Sequence, residues 1–446
     1  MKAPFKIPDF SGRRLVRSLL VCVLMVIASA ILQGQTYNIL FNFNLGQAGA
    51  APIAGVTLDA GGSLYGTTTE GGNMVGQCFY RSGCGAVYKL VHRGAGWIIT
   101  PLYLFQDSQD GADPWARVVF GPDGSLYGTT YSGGGSGCNQ GYDVGCGTVF
   151  NLRPPAHPCT SAICPWNETV LYRFTGGADG ANPGVGDLIF DQSGNIYGTT
   201  TAGGSNGDGT VYKLTRSGNT WTESVLHNFN GLQDGGRVPW GGVILVNGNL
   251  YGTTLCGGNG VCFGGMVYEL SPSGSNFHSL TSFNGWSFSE ASLTPDGHGS
   301  FYGTTFSGGS GTCEDQFEEN FGCGVVFHGA VDGEFGNFSN PNPNAGLSGP
   351  SAPVSVDAAG NIYGTTSGDG AYSSGNVFKL TFDGSNWTYT TLHDFGQVNN
   401  DGVLPSGNIA VGSDGTLYGT TYRGGNSQGC NGCGVIWELS PSQGTH

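Results

Sequence analysis

Charge is the scarcest property of this chain. Only 11% of its 446 residues are Asp, Glu, Lys or Arg, and the 16 basic residues are outnumbered by 31 acidic ones. Nucleic acids and anionic membrane surfaces are held through clustered Lys and Arg, so neither is an expected partner. Residues 1–34 carry five of the basic side chains and one acid, Asp9; the remainder has 11 Lys and Arg against 30 Asp and Glu, a formal charge of −19. Cationic ligands, divalent metals and neutral sugars stay open. Local signatures of chemistry are missing too. The chain has no His-x-x-x-His pair, no phosphate-binding loop and no Asp-x-Asp-x-Asp-Gly calcium loop, which removes the sequence case for a zincin, a P-loop enzyme or an EF-hand. No stretch beyond the first 34 residues has a helical period.

What the chain has is repetition. Tyr-Gly-Thr-Thr begins at Tyr65, Tyr127, Tyr197, Tyr251, Tyr302, Tyr363 and Tyr418, with spacings of 62, 70, 54, 51, 61 and 55 residues. A unit of this size is one supersecondary element used again and again. The 83 glycines follow no three-residue period, so the chain is not collagen-like, and interleaved aromatic and β-branched residues argue against disorder.

Each unit reads as four strands. A short apolar run (Ala116 to Phe120, Val185 to Phe190) leads through an Asp/Gly turn into the Tyr-Gly-Thr-Thr run. Next comes Gly-x-Val-aromatic-x-Leu, as at Gly147 to Leu152, and last a run from Trp to Phe, as at Trp97 to Phe105, Trp166 to Phe174, Trp221 to Phe229 and Trp387 to Phe395. Seven such units predict an all-β, seven-bladed β-propeller of four antiparallel strands per blade, spanning residues 35–446 as one domain. The last unit stops after its third strand at Trp437 to Leu439, and Tyr37 to Phe43 resembles a fourth strand. The N-terminal run is therefore expected to complete the last blade and close the ring. The motif Tyr is expected to pack between blades, its Gly to admit a neighbouring backbone, and the Thr pair to suit a half-buried pleated surface. The fifth unit looks degraded, because Phe288 to Leu293 lacks the usual proline.

Residues 1–34 read as a secretory signal, with basic residues from Lys2 to Arg17, an apolar run from Leu19 to Ile27 and cleavage expected after Ala30. An uncleaved membrane anchor is the rival reading; after signal removal no membrane span is expected. Beyond Cys22, twelve cysteines form six close pairs: Cys78/Cys84, Cys138/Cys146, Cys159/Cys164, Cys256/Cys262, Cys313/Cys323 and Cys430/Cys433. Disulfides in an oxidising compartment are the natural reading. Zinc at Cys430/Cys433 is the alternative, but no second pair is placed to complete four ligands.

Leu-Tyr-Gly-Thr-Thr, then Gly-Gly, then Gly-x-Val-Tyr/Phe-Lys-Leu resembles the GloVer tandem repeats of bacterial secreted choice-of-anchor proteins, over essentially the whole chain after the signal. The resemblance implies an exported, often surface-displayed repeat protein and brings no catalytic residues with it. The chain ends at His446 without an apolar tail, so a freely secreted or periplasmic protein is expected over an anchored one, acting as a monomer.

Candidate chemistry sits on the loop face. The loops between units carry Asp-Gly-x-x-Pro or close variants, giving Asp110, Asp179, Asp234 and Asp401. Converging carboxylates there would suit calcium near the central channel; the simpler reading is that they build turns. Just after the loop proline the aligned positions hold Ile53, Trp115, Gly184, Trp240, Glu290, Ser351 and Ser406. Trp115 and Trp240, two blades apart, could stack on sugar faces; the opposing reading buries both under neighbouring loops. Asp113 and Glu290 are the acids a polysaccharide lyase or glycoside hydrolase would need, though solvated loop roles suit them too. His227 and His393 occupy equivalent outer-strand sites where a solvated role is expected. Three functions follow: a secreted binding propeller for an extracellular carbohydrate or protein, an enzyme in the same cleft, or a structural and adhesive protein. A non-enzymatic role is preferred.

Overall fold

Tyr-Gly-Thr-Thr is β-branched and aromatic, flanked by turn residues, and it forms the second strand of every sheet. In the computed structural model residues 35–441 are described, apart from 77, 79–81, 108, 136, 141–142, 156–164, 258–263, 284–286, 310–321, 332–333, 339–348, 399, 428–429 and 431. Seven antiparallel sheets follow one another, each built around a core of four strands, and every named element is a strand. Blade two is typical: Val119–Phe120, Leu126–Thr130, Thr148–Arg153 and Asn167–Arg173 pair in that order. The first strands are shorter than the sequence suggested. In blades two and three only Val119–Phe120 and Ile189–Phe190 pair, and the residues four before the paired Val119 and Ile189, Trp115 and Val185, line the channel mouth.

Thr36–Asn42 pairs antiparallel with Val435–Ser440, from Thr36↔Ser440 to Asn42↔Val435, and so supplies the fourth strand of blade seven. Phe43 behind it is fully buried against blade one. Blade five is not degraded. Thr294–Pro295, Ser300–Thr305, Val325–Ala330 and Phe335–Phe338 form a complete sheet.

Each motif residue has a separate task. The Tyr ring packs into the next blade: Tyr65 joins Val118, Leu126 and Phe150, and Tyr197 joins Val243 and Leu250. Its hydroxyl donates to the hairpin Asp, as in Tyr65 to Asp59 (3.1 Å), Tyr127 to Asp123 (3.2 Å), Tyr197 to Asp191 (2.9 Å) and Tyr363 to Asp357 (3.0 Å). The Gly chiefly admits a side chain where a neighbouring backbone was expected, although a Cβ at Gly66 would also stand 3.2 Å from the Gly55 carbonyl. A Cβ at Gly66, Gly198 or Gly419 would stand 2.3, 2.4 or 2.3 Å from the ring or hydroxyl of Tyr88, Tyr212 or Trp437, the aromatic residue opposite it on the third strand. The first Thr ties blade to blade. Thr67, Thr199, Thr253 and Thr304 donate to the carbonyls of Ala116, Gly241, Ala291 and Ala352 of the next blade at 2.9–3.1 Å. The second Thr bonds within its own blade, as in Thr200 to Thr210 at 2.8 Å.

A second latch joins the blades at the loop proline. Ala51, Asp113, Asn182, Val238 and Leu404 precede Pro and hold φ between 55° and 58°. Their N–H groups donate to Cys433, Cys84, Cys146, Asp208 and Ser374 of the previous blade, at 2.8–3.1 Å. Their carbonyls accept from Thr69, Tyr131, Thr201, Leu255 and Tyr422 of their own blade. Both backbone groups are thereby satisfied in a conformation that non-glycine residues seldom adopt. Disulfides Cys78–Cys84, Cys138–Cys146 and Cys430–Cys433 brace the loop that offers the accepting carbonyl. Cys256 and Cys323 are also disulfide-bonded; Cys262, Cys313, Cys159 and Cys164 lie outside the described residues. Among the described residues no helix is long and apolar enough to cross a membrane.

Candidate functional site

The channel mouth is defined by register. In each blade one first-strand residue pairs with the motif Tyr: Thr57, Val119, Ile189, Ile244, Thr294, Ser355 and Ala410. Four residues earlier stand Ile53, Trp115, Val185, Trp240, Glu290, Ser351 and Ser406, and all seven line one cavity of about 150 Å³. Val185 takes the place the sequence assigned to Gly184, because blade three carries one extra residue between Pro183 and its first strand. Isolated bridges Ala50↔Glu70, Ala112↔Ser132 and Ala181↔Ala202 hold the inter-blade loops and the second-to-third-strand loops side by side on this face.

Trp115 and Trp240 meet there. Their ring centroids are 5.5 Å apart at 66°, and Trp115 stacks on Tyr131 at 4.5 Å and 13°. Such contacts fix the rings, each at about 0.5–1.5 kcal/mol. Both indoles are half-buried and keep surface facing the cavity. Glu290, from the blade that lacks the proline, lines the same space. It has no hydrogen-bond or ion-pair partner among the described residues, and burial pushes its carboxyl up.

Two residues below the mouth ring lies a second ring containing Arg117, Asp187, Ser292 and Asn408. Arg117 Nε donates to Asp187 Oδ2 at 2.6 Å, and its Nη1 reaches the Asn408 side-chain oxygen at 2.8 Å. Burial pushes the Asp187 carboxyl up and the Arg117 guanidinium opposes that shift. Sequence reasoning missed this pair; the signal was a charge at the same register position in adjacent blades. Below it the channel widens into about 700 Å³ lined by first strands.

The acids proposed for catalysis are not brought together. Asp113 is absent from the cavity lining; it forms the latch before Pro114 and accepts from Ser132 Oγ at 2.7 Å. The four loop aspartates sit at the outer seam between blades, away from the channel. Asp110 accepts from Tyr103 (2.9 Å) and the Gln106 N–H (3.0 Å), and Asp179 from Tyr172 (3.0 Å) and the Thr175 N–H (2.8 Å). Asp234 bonds His227 Nε2 (2.8 Å), and Asp401 accepts from Tyr37 (2.8 Å) with His393 Nε2 at 3.5 Å. His227 and His393 are thus not solvated: Phe277 and Tyr37 of the following blades stack on them at 3.7 and 3.8 Å. Among the described residues no group of three or more His, Cys, Asp or Glu side chains could hold a metal ion.

At two seams a glutamate takes the place of the stacking ring. Glu168 faces Asp110 and Glu223 faces Asp179. Desolvation first, and the neighbouring aspartate second, push both carboxyls up to about 7. Arg173 opposes the shift at Glu168. One buried oxygen of each glutamate lacks a hydrogen-bond partner among the described residues.

The Gloeobacter/Verrucomicrobia repeat model matches residues 137–328 and 310–446, and the chain belongs to this family. No curated protein matches the sequence. Among solved structures, a polysaccharide lyase, the PL25 ulvan lyase, aligns with TM-score 0.54 at 11% identity, over 90% of this chain and 95% of that one. The same lyase bound to -[GlcA(1-4)Rha3S]- gives TM-score 0.53 with the same identity and coverage. These similarities show a shared propeller fold.

Proposed function

We propose that this member of the Gloeobacter/Verrucomicrobia repeat family is an exported, non-catalytic propeller that recognises a carbohydrate at its channel mouth. The observation that carries the reading is the pairing of Trp115 and Trp240 in one cavity, half-exposed and held by ring contacts. Fixed indoles offer apolar faces to sugar rings at low entropic cost. The lyase structures lend the glycan reading the support of fold analogy alone. A catalytic role loses support because Asp113 stands outside the cavity and Asp187 is tied to Arg117. Residues 1–34 serve as the export leader in this reading, and the disulfides are compatible with an extracellular protein.

The test is a glycan and polysaccharide array on the disulfide-intact protein, with calcium and with chelator. A specific hit should weaken at least tenfold in the Trp115→Ala, Trp240→Ala double variant. A hit unaffected by both substitutions refutes the site. Release of products from the bound glycan would convert the reading to an enzyme.

A further inference from the structure

The charge inside the mouth narrows the ligand class, an inference that rests on the carbohydrate reading above. Among the described residues two ionisable side chains line the cavity, Asp187 and Glu290. Asp187 is matched by Arg117 at 2.6 Å. Glu290 has no partner among the described residues, so the cavity carries one unmatched carboxyl, within a chain of formal charge −15. Among the described residues the lining holds no Lys, Arg or His to receive a carboxylate or sulfate. Two indoles beside an unmatched carboxylate attract an ammonium group, which gains an ion pair and a cation–π contact of about 0.5–2 kcal/mol. The cavity, at about 150 Å³, is well below the ~300–1,000 Å³ typical of drug-sized sites. It suits an end group and not a stretch of polymer.

We infer that the mouth selects a terminal hexosamine with a free amine, its ring stacked on Trp115 and Trp240 and its ammonium paired with Glu290. Burial alone raises the Glu290 carboxyl; an ammonium placed beside it would restore the charged form.

The test compares short oligomers of glucosamine, N-acetylglucosamine, glucose and galacturonate by titration calorimetry, at a pH where the amine is protonated, with choline as a cation lacking a sugar ring. Glucosamine oligomers should bind about tenfold tighter than N-acetylated ones, ~1.4 kcal/mol, and galacturonate weakest. Glu290→Gln should erase that preference, bringing the glucosamine and N-acetylglucosamine oligomers to the same affinity. Equal binding of aminated, acetylated and neutral oligomers, or choline binding as tightly as the glucosamine oligomer, overturns the inference and leaves the carbohydrate reading standing in the first case. Binding of none of the sugars overturns both. The ligand series on the unaltered protein decides the matter even where Glu290→Gln fails to fold.

Discussion

Replacing Glu168 and Glu223 by Gln should make the propeller more stable at pH 8 and flatten part of its pH profile. Both carboxyls are raised from 4.5 to about 7 in the folded chain. Between those values the folded state binds more protons than the unfolded state, so stability falls as pH rises through the window and is lowest above it. One pKa unit corresponds to ~1.4 kcal/mol, so a sealed group would lose ~3 kcal/mol. Each glutamate is only half-buried, and solvent screening reduces this to on the order of 1 kcal/mol apiece. Gln keeps the shape of the protonated acid and can donate toward Asp110 or Asp179. The double variant should therefore gain about 2 kcal/mol at pH 8 and little at pH 5, read by urea unfolding with disulfides intact. At the acid end, carboxyls held low by hairpin hydrogen bonds, such as Asp191 and Asp357, remove stability as pH falls below the ordinary Asp range. A double variant whose profile runs parallel to the parent from pH 5 to 8 would refute the reasoning.

Gly198→Ala places a Cβ 2.4 Å from the Tyr212 hydroxyl; thermal melting should show a loss of about 1–3 kcal/mol, and an unchanged midpoint would mean the ring is free to move. Thr253→Val removes the donor to the Ala291 carbonyl (2.9 Å) and should cost about 1–3 kcal/mol, whereas Thr253→Ser should retain most of the stability. Deleting Thr36 to Phe43 strips blade seven of its outer strand; a cooperative melt like that of the full chain would contradict a ring closed by this strand.

The ring itself was readable because its determinants are local. Tyr-Gly-Thr-Thr, the Asp/Gly hairpin and the Trp-to-Phe strand are short patterns whose spacing gives blade number and strand order, and the run at Tyr37 shows which strand is displaced to the start. Register was less readable. The extra residue after Pro183 moves Val185 into the mouth, which only the Ile189↔Tyr197 pairing reveals. The Gly-x-Val glycine gives no sign in sequence that the proline of the next blade packs on it, yet a Cβ at Gly85 would stand 2.7 Å from Pro114 Cδ. The Asp-Gly loops read correctly as turns, but the outer strand covering each of them comes from the following blade. Arg117 and Asp187 are 70 residues apart, and no local pattern links two charges across that distance.

The strand that closes blade seven also sets the order of assembly. Blades one to six need only neighbouring segments, whereas the bond between Asn38 and Glu438 joins residues 400 apart in sequence. Contacts of such separation form late and slow folding. Until Glu438 has been synthesised, blade seven has no partner for Thr36–Asn42, and that strand leaves its edge unpaired. A circular permutant with Thr36 to Phe43 joined behind Ser440 through a short turn makes the same sheet from a hairpin, and should fold faster at unchanged stability.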